Sequence, residues 1–288
     1  MLSRRAAILG GGFHLATNGQ SRGAGMFANA EAYEKFMGRW SRLVAPRFVE
    51  FAALPDDGRI LDAGSGTGSL AMEVIRRKPR ARIVGIDPSK EYIAYAASKN
   101  SSVDRAVFEV GDAQRLRFTD ASFDGAVSLL VFNFIPEPKT ALNEIRRVVK
   151  PGGSISAAVW DYGGEMRMLR IFWDAAVATD PAADRVDEKR MPLCRAGELS
   201  ELWRQGGLES VRQSLIEIRT RFASFADYWD PFLLGQGPAG AYARGLEPRA
   251  LTRLRNEVKR RLGVSAEDQP IDLPARVWAV RGLVPSRG

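Results

Sequence analysis

Cysteine and histidine are almost missing from this sequence of 288 residues, which contains one of each. A single cysteine, Cys194, excludes an internal disulfide and a cysteine-based zinc cluster, and we expect it to be a half-buried small side chain rather than a nucleophile. The single histidine, His14, lies in a glycine-rich N-terminal segment. A histidine-based catalytic dyad and a histidine metal site are therefore excluded, and no metal is expected.

Long apolar runs are lacking as well. No stretch reaches about 18 uninterrupted apolar residues, so a membrane-spanning helix is not expected. The composition, 45% hydrophobic and 26% charged, is typical of a soluble globular protein. A chain of this length can bury a full core, and we expect a single domain with insertions over residues 26–288.

Residues 1–25 offer no periodic apolar face, and we predict that they form a disordered tail ahead of a domain that could begin at Met26. The paired arginines Arg4 and Arg5 precede a short apolar run, which superficially resembles a twin-arginine export signal. That run is brief and interrupted by glycine, and no clear small-x-small cleavage site follows it. We therefore expect a cytoplasmic location, with export as the alternative.

What the sequence does contain is a strand, a glycine turn and a helix over residues 59–77. A short apolar run ends near Asp62 and passes through Gly64, Gly66 and Gly68 into residues whose apolar positions recur at helical spacing. Because glycine lacks a Cβ atom, the turn can adopt backbone angles closed to other residues, and a ligand can lie directly on the main chain. The helix that follows directs its free N–H groups at such a ligand.

The spacing of the glycines and the acid before them indicate which ligand this is. The dinucleotide fingerprint would place glycine or alanine at position 69, where this chain has Ser69. Asp62 stands two residues before the first glycine. In these features the stretch resembles the class I S-adenosylmethionine-dependent methyltransferases, in which this turn holds the amino-acid end of the cofactor; a tight turn without a ligand is the alternative. The resemblance implies cofactor contacts from Asp62, Gly64, Ser65, Gly66 and Gly68.

Later segments match the same family in the same order. The apolar run 81–87 suits a parallel strand buried on both faces, and it ends in Asp87 before Pro88. The resemblance implies that the Asp87 carboxylate accepts hydrogen bonds from the cofactor ribose and that Pro88 also contacts the cofactor. A helix N-cap before Pro88 is a second role of Asp87, compatible with the first. After a third strand over 106–110, the resemblance implies that Asp112 and Ala113 contact the adenine.

The fourth strand is predicted to begin at Phe123 or Asp124, and its C-terminal end, residues 131–134, to lie beside the transferable methyl. Leu129 on this strand is assigned to the cofactor. A helix over 139–150 leads into Val148-Val149-Lys150-Pro151-Gly152-Gly153, which resembles the LKPGG turn that precedes the fifth strand of the family, here 154–160.

The match covers residues 59–160, inside a cofactor-binding core of about 55–160. We therefore expect an α/β fold, a Rossmann-like doubly wound sheet of seven mostly parallel strands whose last strand, 271–280, is antiparallel. Helical cap insertions are predicted at about 161–195 and 222–270, and a strand at 208–219.

A helix before the sheet is predicted from Glu31, ending near Pro46 or restarting there. In many members of the resembled family such a helix covers the cofactor, so its aromatic and charged residues are candidates for a lid, and packing between helices is the alternative role. The candidates are Tyr33, Met37, Arg39 and Trp40, of which Tyr33 and Arg39 are assigned to the cofactor.

The leading functional interpretation is a methyltransferase that transfers the sulfonium methyl of S-adenosylmethionine to a small-molecule acceptor. In-line transfer of an activated methyl depends chiefly on positioning, so it needs neither metal nor histidine. Asn133 and Asp161 are the polar residues nearest the strand ends and the predicted catalytic pair; Asp161 as a cap and Asn133 as a partner of backbone groups are alternatives. The arrangement most resembles the ubiquinone and menaquinone biosynthesis methyltransferases, and the acceptor is not identified.

Methylation of RNA or DNA is a second interpretation. Amino-methylating enzymes carry an Asp/Asn-Pro-Pro-aromatic tetrad after the fourth strand, whereas this chain has Asn133-Phe134-Ile135-Pro136. The net charge of +8 and the arginines between 249 and 261 give it weak support, because a solvated polar helix face explains them equally well. A non-catalytic cofactor-binding protein is a third interpretation.

Overall fold

The computed structural model describes residues 29–101 and 103–286. The predictions of a disordered tail or export signal over 1–25, and the position of His14, lie outside these residues. The described strands are β1 Asp57–Ala63, β2 Arg80–Asp87, β3 Ala106–Val110, β4 Phe123–Leu129, β5 Val149–Trp160, β6 Glu209–Phe222 and β7 Ile271–Leu283.

These strands form one sheet in the order β3-β2-β1-β4-β5-β7-β6. The strands from β3 to β5 pair in parallel, and β7 is antiparallel to both of its neighbours, β5 and β6. The predicted Rossmann-like sheet with an antiparallel last strand is confirmed, and that strand lies inside the sheet rather than at its edge. The strand order reverses between β1 and β4, and ligands of such sheets bind outside the carboxyl ends of the strands at this point.

The helices connect the strands and cover both faces of the sheet. Their bounds are α1 Ala30–Tyr33, α2 Arg39–Ala52, α3 Ser69–Arg77, α4 Lys90–Lys99, α5 Pro138–Val148, α6 Arg167–Thr179, α7 Glu198–Gln205, α8 Phe225–Trp229, α9 Gly237–Arg244 and α10 Pro248–Leu262. In the described part of the chain, no helix is both long and apolar enough to cross a membrane.

The core forms because the apolar pattern of each element matches its position. In β1 the run from Ile60 to Ala63 is buried on both faces, as expected for a central parallel strand. In α3 the buried residues are Leu70, Ala71, Val74 and Ile75, which share one face at helical spacing. The two elements that flank the glycine turn, β1 and α3, are thus both anchored in the core.

The helix before the sheet differs from its prediction. It is continuous from Ala30 to Ala52, with a π-helical turn at Glu34–Gly38, and Pro46 lies inside α2 rather than at a helix end. A proline inside a helix removes one backbone hydrogen bond. Here Phe48 and Val49 are buried just beyond it, and we attribute the unbroken helix to this packing.

Two other segments differ from the sequence prediction. Strand β4 ends at Leu129 because Leu130 takes a left-handed conformation, φ 65°, and Phe132–Phe134 form a 3₁₀ turn. Residues 131–134 therefore lie beyond the strand rather than at its end. Cys194 is fully buried rather than half-buried.

Helices occupy both stretches in which insertions were predicted. Helix α6 packs against α10 and α9, and the rings of Phe172 and Phe232 stack with centroids 4.4 Å apart. Aromatic pairs of this kind contribute beyond their buried area. We call α6, the 3₁₀ turns that follow it and α8–α10 the cap.

Candidate active site

The glycine turn lies between β1 and α3 at the carboxyl edge of the sheet. Gly64, Gly66 and Gly68 all have positive φ angles, 81°, 51° and 89°, which explains the need for glycine. The backbone N–H groups of Gly64 and Ser65 each donate to the Ile86 carbonyl oxygen at 2.8 Å. The turn is therefore held against β2, where Asp87 follows.

The glycines of this turn have different surroundings. A Cβ atom added at Gly64 would lie 2.5 Å from the Val131 side chain, so Gly64 is required by packing inside the protein. A Cβ atom added at Gly66 would meet only the Tyr92 ring, at 4.0 Å. The main chain at Gly66 is thus open, as close approach of a ligand requires.

Asp62 is a buried acid beside this turn. The residue is only 1% exposed. Neither of its carboxylate oxygens has a hydrogen-bond partner of ordinary geometry among the described residues. Burial, reinforced by the charge of Asp87, raises the pKa of Asp62 to about 8. Leaving a buried carboxylate unpaired costs free energy, so a cationic group bound here would be stabilised.

Asp87 ends β2 and connects it to the glycine turn. Its Oδ2 accepts from the Gly66 N–H at 3.1 Å and its Oδ1 from the Ser89 N–H at 2.8 Å. Burial raises the pKa of Asp87 to about 6. The N-cap of α4 is Ser89 rather than Asp87, and Pro88 lies exposed between them.

The residues assigned to the adenine lie beside Asp87. The Gly111 N–H donates to the Asp87 carbonyl oxygen at 3.1 Å, which places Asp112 and Ala113 next to the end of β2. Asp112 is exposed and accepts from the Gln114 backbone N–H at 2.8 Å, whereas Ala113 is buried. Leu129 is also buried. It is the last residue of β4, which lies on the opposite side of β1 from β2.

The helix before the sheet contacts the glycine turn directly. The Thr67 hydroxyl donates to Glu34 Oε1 at 2.5 Å, and Glu34 also pairs with Arg42. The Tyr33 ring lies 5.4 Å from that of Tyr92, and burial raises the pKa of Tyr33 to about 12. Tyr33 therefore packs on the ring that lies nearest to Gly66, and its role as a lid over the cofactor stays a prediction.

Arg39, by contrast, has its partners in the cap. Its guanidinium donates to both carboxylate oxygens of Asp227, at 2.6 and 3.3 Å, and lies 4.2 Å from the centroid of the Trp40 ring. Met37 and Trp40 are buried in the core, as the packing alternative expected. The assignment of Arg39 to the cofactor stays a prediction, and these contacts explain the residue as a link between α2 and α8.

The two predicted catalytic residues have different environments. Asn133 is 4% exposed, and its side-chain amide has no hydrogen-bond partner of ordinary geometry in the described chain, although the Tyr162 hydroxyl lies near enough to interact with it. Asp161 accepts from the Glu165 N–H at 3.0 Å and lies 3.8 Å from Arg276. Asp161 thus caps a turn, whereas the buried Asn133 amide lies beside the Tyr162 hydroxyl, and the catalytic role of both residues stays a prediction.

Sequence reasoning missed several residues of this region. Glu34 and Thr67 lie 33 positions apart and meet only because the helix folds over the turn. Tyr92 and Tyr162 follow strand ends, where ligands of parallel sheets bind, and that position was the available signal.

The sheet order and the glycine turn after β1 define a Rossmann-like methyltransferase fold. A family model described as a methyltransferase domain matches residues 61–157. The solved structure of Haemonchus contortus phosphoethanolamine N-methyltransferase 2 in complex with S-adenosyl-L-methionine has a TM-score of 0.57 and 18% identity, covering 89% of this chain and 57% of that chain. At this identity the likeness shows the fold alone.

Sequence relatives define the family. A demethylmenaquinone methyltransferase of Roseiflexus castenholzii is 34% identical over 179 residues, which are 58% of this chain and 75% of that protein. A demethylmenaquinone methyltransferase of Deinococcus radiodurans is 37% identical over 98 residues, 34% of this chain and 41% of that protein. The chain also spans only about half the length of other curated relatives. This chain belongs to the S-adenosylmethionine-dependent methyltransferase family.

Proposed function

We propose that the protein transfers a methyl group from S-adenosylmethionine to a small-molecule acceptor held between the sheet edge and the cap. The observation that carries the proposal is the buried carboxylate of Asp62, which has no hydrogen-bond partner of ordinary geometry in the described chain, beside the open main chain at Gly66. A ligand with a cationic amino-acid end fits Asp62 and Gly66, because its positive charge can pair with the Asp62 carboxylate and its atoms can lie against the glycine.

The remaining cofactor residues fit the rest of the same molecule. Asp87 is a carboxylate at the end of β2, where it can accept from two ribose hydroxyls in addition to the N–H groups it already binds. Asp112 and Ala113 would contact the adenine from the end of β3, and Leu129 would contact the cofactor from the end of β4. Tyr33 would cover the ligand from the side of the helix before the sheet.

When bound, S-adenosylmethionine supplies a methyl group already activated by its positively charged sulfur. The protein then has to orient the acceptor and exclude water. Asn133 would orient the acceptor, because its buried amide offers both a donor and an acceptor. Asp161 would act indirectly, by fixing the turn after β5 through its bond to the Glu165 N–H.

A nucleic-acid substrate has no specific support in the geometry. Four cations of α10 share two acids: Arg260 and Arg261 pair with Glu257, and Arg255 and Lys259 pair with Glu267. Pairing of this kind lowers the positive potential of the helix face. We therefore propose a small molecule, and the names of the demethylmenaquinone methyltransferases support that class of acceptor.

Mass spectrometry tests this proposal. A small-molecule cell extract is incubated with the protein and methyl-labelled S-adenosylmethionine, in parallel with the Asp87→Ala variant. We expect a labelled small molecule that forms with the wild-type protein and forms much more slowly with Asp87→Ala at a low cofactor concentration. Label in RNA or DNA would favour the second interpretation, and cofactor binding without any labelled product would favour a non-catalytic protein.

A further inference from the structure

Gln236 is a buried residue of the cap that none of the roles above uses. It lies between the 3₁₀ turn Asp230–Leu234 and helix α9, and it is only 5% exposed. Its Oε1 accepts from the Tyr92 hydroxyl at 3.4 Å, and its Nε2 donates to no residue in the described part of the chain. Because buried polar groups are normally paired, the N–H groups of this amide are left to solvent or to a bound molecule.

The conformation of the chain on either side of Gln236 depends on glycine. Gly235 and Gly237 have positive φ angles, 76° and 64°, which other residues rarely adopt. Helix α9 packs closely on the same turn, since a Cβ atom added at Gly240 would lie 2.9 Å from the Gly235 carbonyl carbon. Gln236 is therefore held in a turn of defined conformation, which is the support that a binding residue needs.

The Tyr92 side chain lies between Gln236 and the glycine turn. A Cβ atom added at Gly66 would meet only the Tyr92 ring, at 4.0 Å, and the hydroxyl of the same ring donates to Gln236. The distance of 3.4 Å is long for a hydrogen bond, so the amide lies beside the phenol without being fixed by it. The amide is thus one aromatic ring away from the open main chain at Gly66.

A second contact places the same turn of the cap against the helix before the sheet. A Cβ atom added at Gly237 would lie 3.8 Å from the Phe36 ring, and the Phe36 ring centroid lies 5.2 Å from that of Phe232. Phe36 belongs to the π-helical turn that contacts Thr67 through Glu34. The cap therefore approaches the glycine turn along two routes, through α4 and through the helix before the sheet.

The amino-acid end of S-adenosylmethionine carries two charged groups, an ammonium group assigned to Asp62 and a carboxylate without an assigned partner. The glycine turn offers this carboxylate little. The N–H groups of its three glycines already donate to protein oxygens, and the nearby acids Asp62 and Asp87 oppose a further negative charge. A donor from outside the turn is therefore favoured.

We propose that the Gln236 amide donates to the carboxylate of bound S-adenosylmethionine, so that the cap is part of the cofactor site and not of the acceptor site alone. This inference rests on the proposed function. The NH2 group of an amide carries two donors, so it can bind a carboxylate without adding charge. Burial raises the pKa of Tyr92, which keeps its hydroxyl protonated as the donor to the Gln236 oxygen and leaves the amide nitrogen to the carboxylate.

Two ligands that differ only in the carboxylate test this proposal. S-adenosylmethionine and decarboxylated S-adenosylmethionine share the adenosine, sulfonium and amino groups, and calorimetry gives the ratio of their affinities. We expect the wild-type protein to bind S-adenosylmethionine about 10- to 100-fold more tightly, because the analogue cannot accept the bond from Gln236. In Gln236→Leu the two affinities should agree within about 3-fold, through weaker binding of S-adenosylmethionine alone.

Gln236→Glu should reverse the preference. This variant keeps an oxygen for the Tyr92 hydroxyl but places a negative charge beside the cofactor carboxylate, so the decarboxylated analogue should become the tighter ligand. Gln213→Leu is the matched control, because Gln213 accepts from the Gly197 N–H at 3.0 Å and lies on β6, at the edge of the sheet. The control should leave both affinities unchanged.

The outcomes separate this proposal from the proposed function. If the wild-type protein binds neither ligand, the proposed function fails and this inference fails with it. If the wild type binds both ligands equally, or if Gln236→Leu keeps the wild-type ratio, the cofactor assignment stands and the role of Gln236 is refuted. Both ligands are compared in the same protein, so partial unfolding of a variant cancels in the ratio.

A nuclear magnetic resonance measurement keeps the proposal testable if Gln236→Leu does not fold. In wild-type protein labelled with nitrogen-15 glutamine, the side-chain amide signal that Gln236→Asn removes belongs to Gln236. S-adenosylmethionine should shift this signal more than the decarboxylated analogue does. Equal shifts with the two ligands would contradict the proposal.

Discussion

The Thr67 hydroxyl and the Glu34 carboxylate form a 2.5 Å hydrogen bond that joins the helix before the sheet to the glycine turn. Gly38 makes room for this arrangement, because a Cβ atom there would lie 2.6 Å from the Glu34 carboxyl group. Glu34 and Gly38 are the first and last residues of the π-helical turn, and this turn lets the Glu34 carboxylate lie alongside Gly38 and reach the glycine turn.

This contact should be measurable as a coupling energy. We expect a double-mutant cycle with Thr67→Val and Glu34→Gln to give a coupling of about 1–2 kcal/mol in the free energy of unfolding, because one partner is charged. Thr252→Val, which alters an exposed hydroxyl bonded only within α10, is the control and should change little. Strictly additive effects in denaturant titrations would show that the two residues do not stabilise each other.

Gly66→Ala should weaken cofactor binding without unfolding the protein. The new methyl group meets no protein atom closer than 4.0 Å, but it enters the space that we assign to the ligand. Gly263→Ala is the matched control, since Gly263 also has a positive φ, 66°, and open surroundings. Calorimetry should show an affinity at least 10-fold lower for Gly66→Ala alone; equal affinities in the two variants would place the ligand elsewhere.

Cofactor binding should release protons. Burial raises the pKa of Asp62 to about 8 and that of Asp87 to about 6, so at neutral pH the free protein holds a proton that a cationic ligand displaces. Affinity should therefore rise as the pH increases from about 6 to 8 and level off above. Calorimetry in buffers of different ionisation enthalpy measures the release, which Asp62→Asn should largely abolish; undiminished release in that variant would exclude Asp62 as the source.

The protein without cofactor should lose stability as the pH rises. The folded-state pKa of Asp62 lies above its ordinary value, so the folded protein binds more protons than the unfolded chain between about pH 4 and 8. The free energy of unfolding should consequently fall as the pH rises through this range. The free energy of unfolding of Asp62→Asn should fall less steeply. Urea titrations at several pH values decide this, and parallel curves for the two proteins would contradict the assignment.

Asn133→Ala and Asp161→Ala should distinguish a residue that orients the acceptor from one that stabilises the turn after β5. We expect Asn133→Ala to lower single-turnover methyl transfer by about 10- to 100-fold with cofactor affinity nearly intact, because we assign its amide to the acceptor and not to the cofactor. Asp161→Ala should lower the rate similarly and also cost about 1 kcal/mol of stability, because the Glu165 N–H loses its partner. Wild-type rates in both variants would move the acceptor site away from these strand ends.

The parts of the fold that local pattern determines were predictable. The apolar runs that end in Asp62 and Asp87 identify β1 and β2, because a strand buried on both faces must be apolar throughout. The continuation of the helix through Pro46 was not predictable, because the packing of buried neighbours outweighs the tendency of proline to end a helix.

Side-chain partners far apart in sequence were the least accessible to sequence reasoning. Arg39 and Asp227 are 188 residues apart, and no local pattern pairs them. Glu188 lies in a turn without regular periodicity, and its burial depends on the distant Trp173 N–H and on the Arg170–Asp187 pair. The sequence could indicate that the strand ends bind a ligand, but contacts between residues so far apart required the folded structure.

Calorimetric titration of the purified protein with S-adenosylmethionine tests the central claim most directly. We predict saturable binding to one site, and an affinity about 10- to 100-fold lower in Asp87→Ala, because a charge-assisted pair of ribose contacts is lost. Absence of binding by the wild-type protein, or equal affinity in a folded Asp87→Ala variant, would contradict the assignment of the cofactor to this turn.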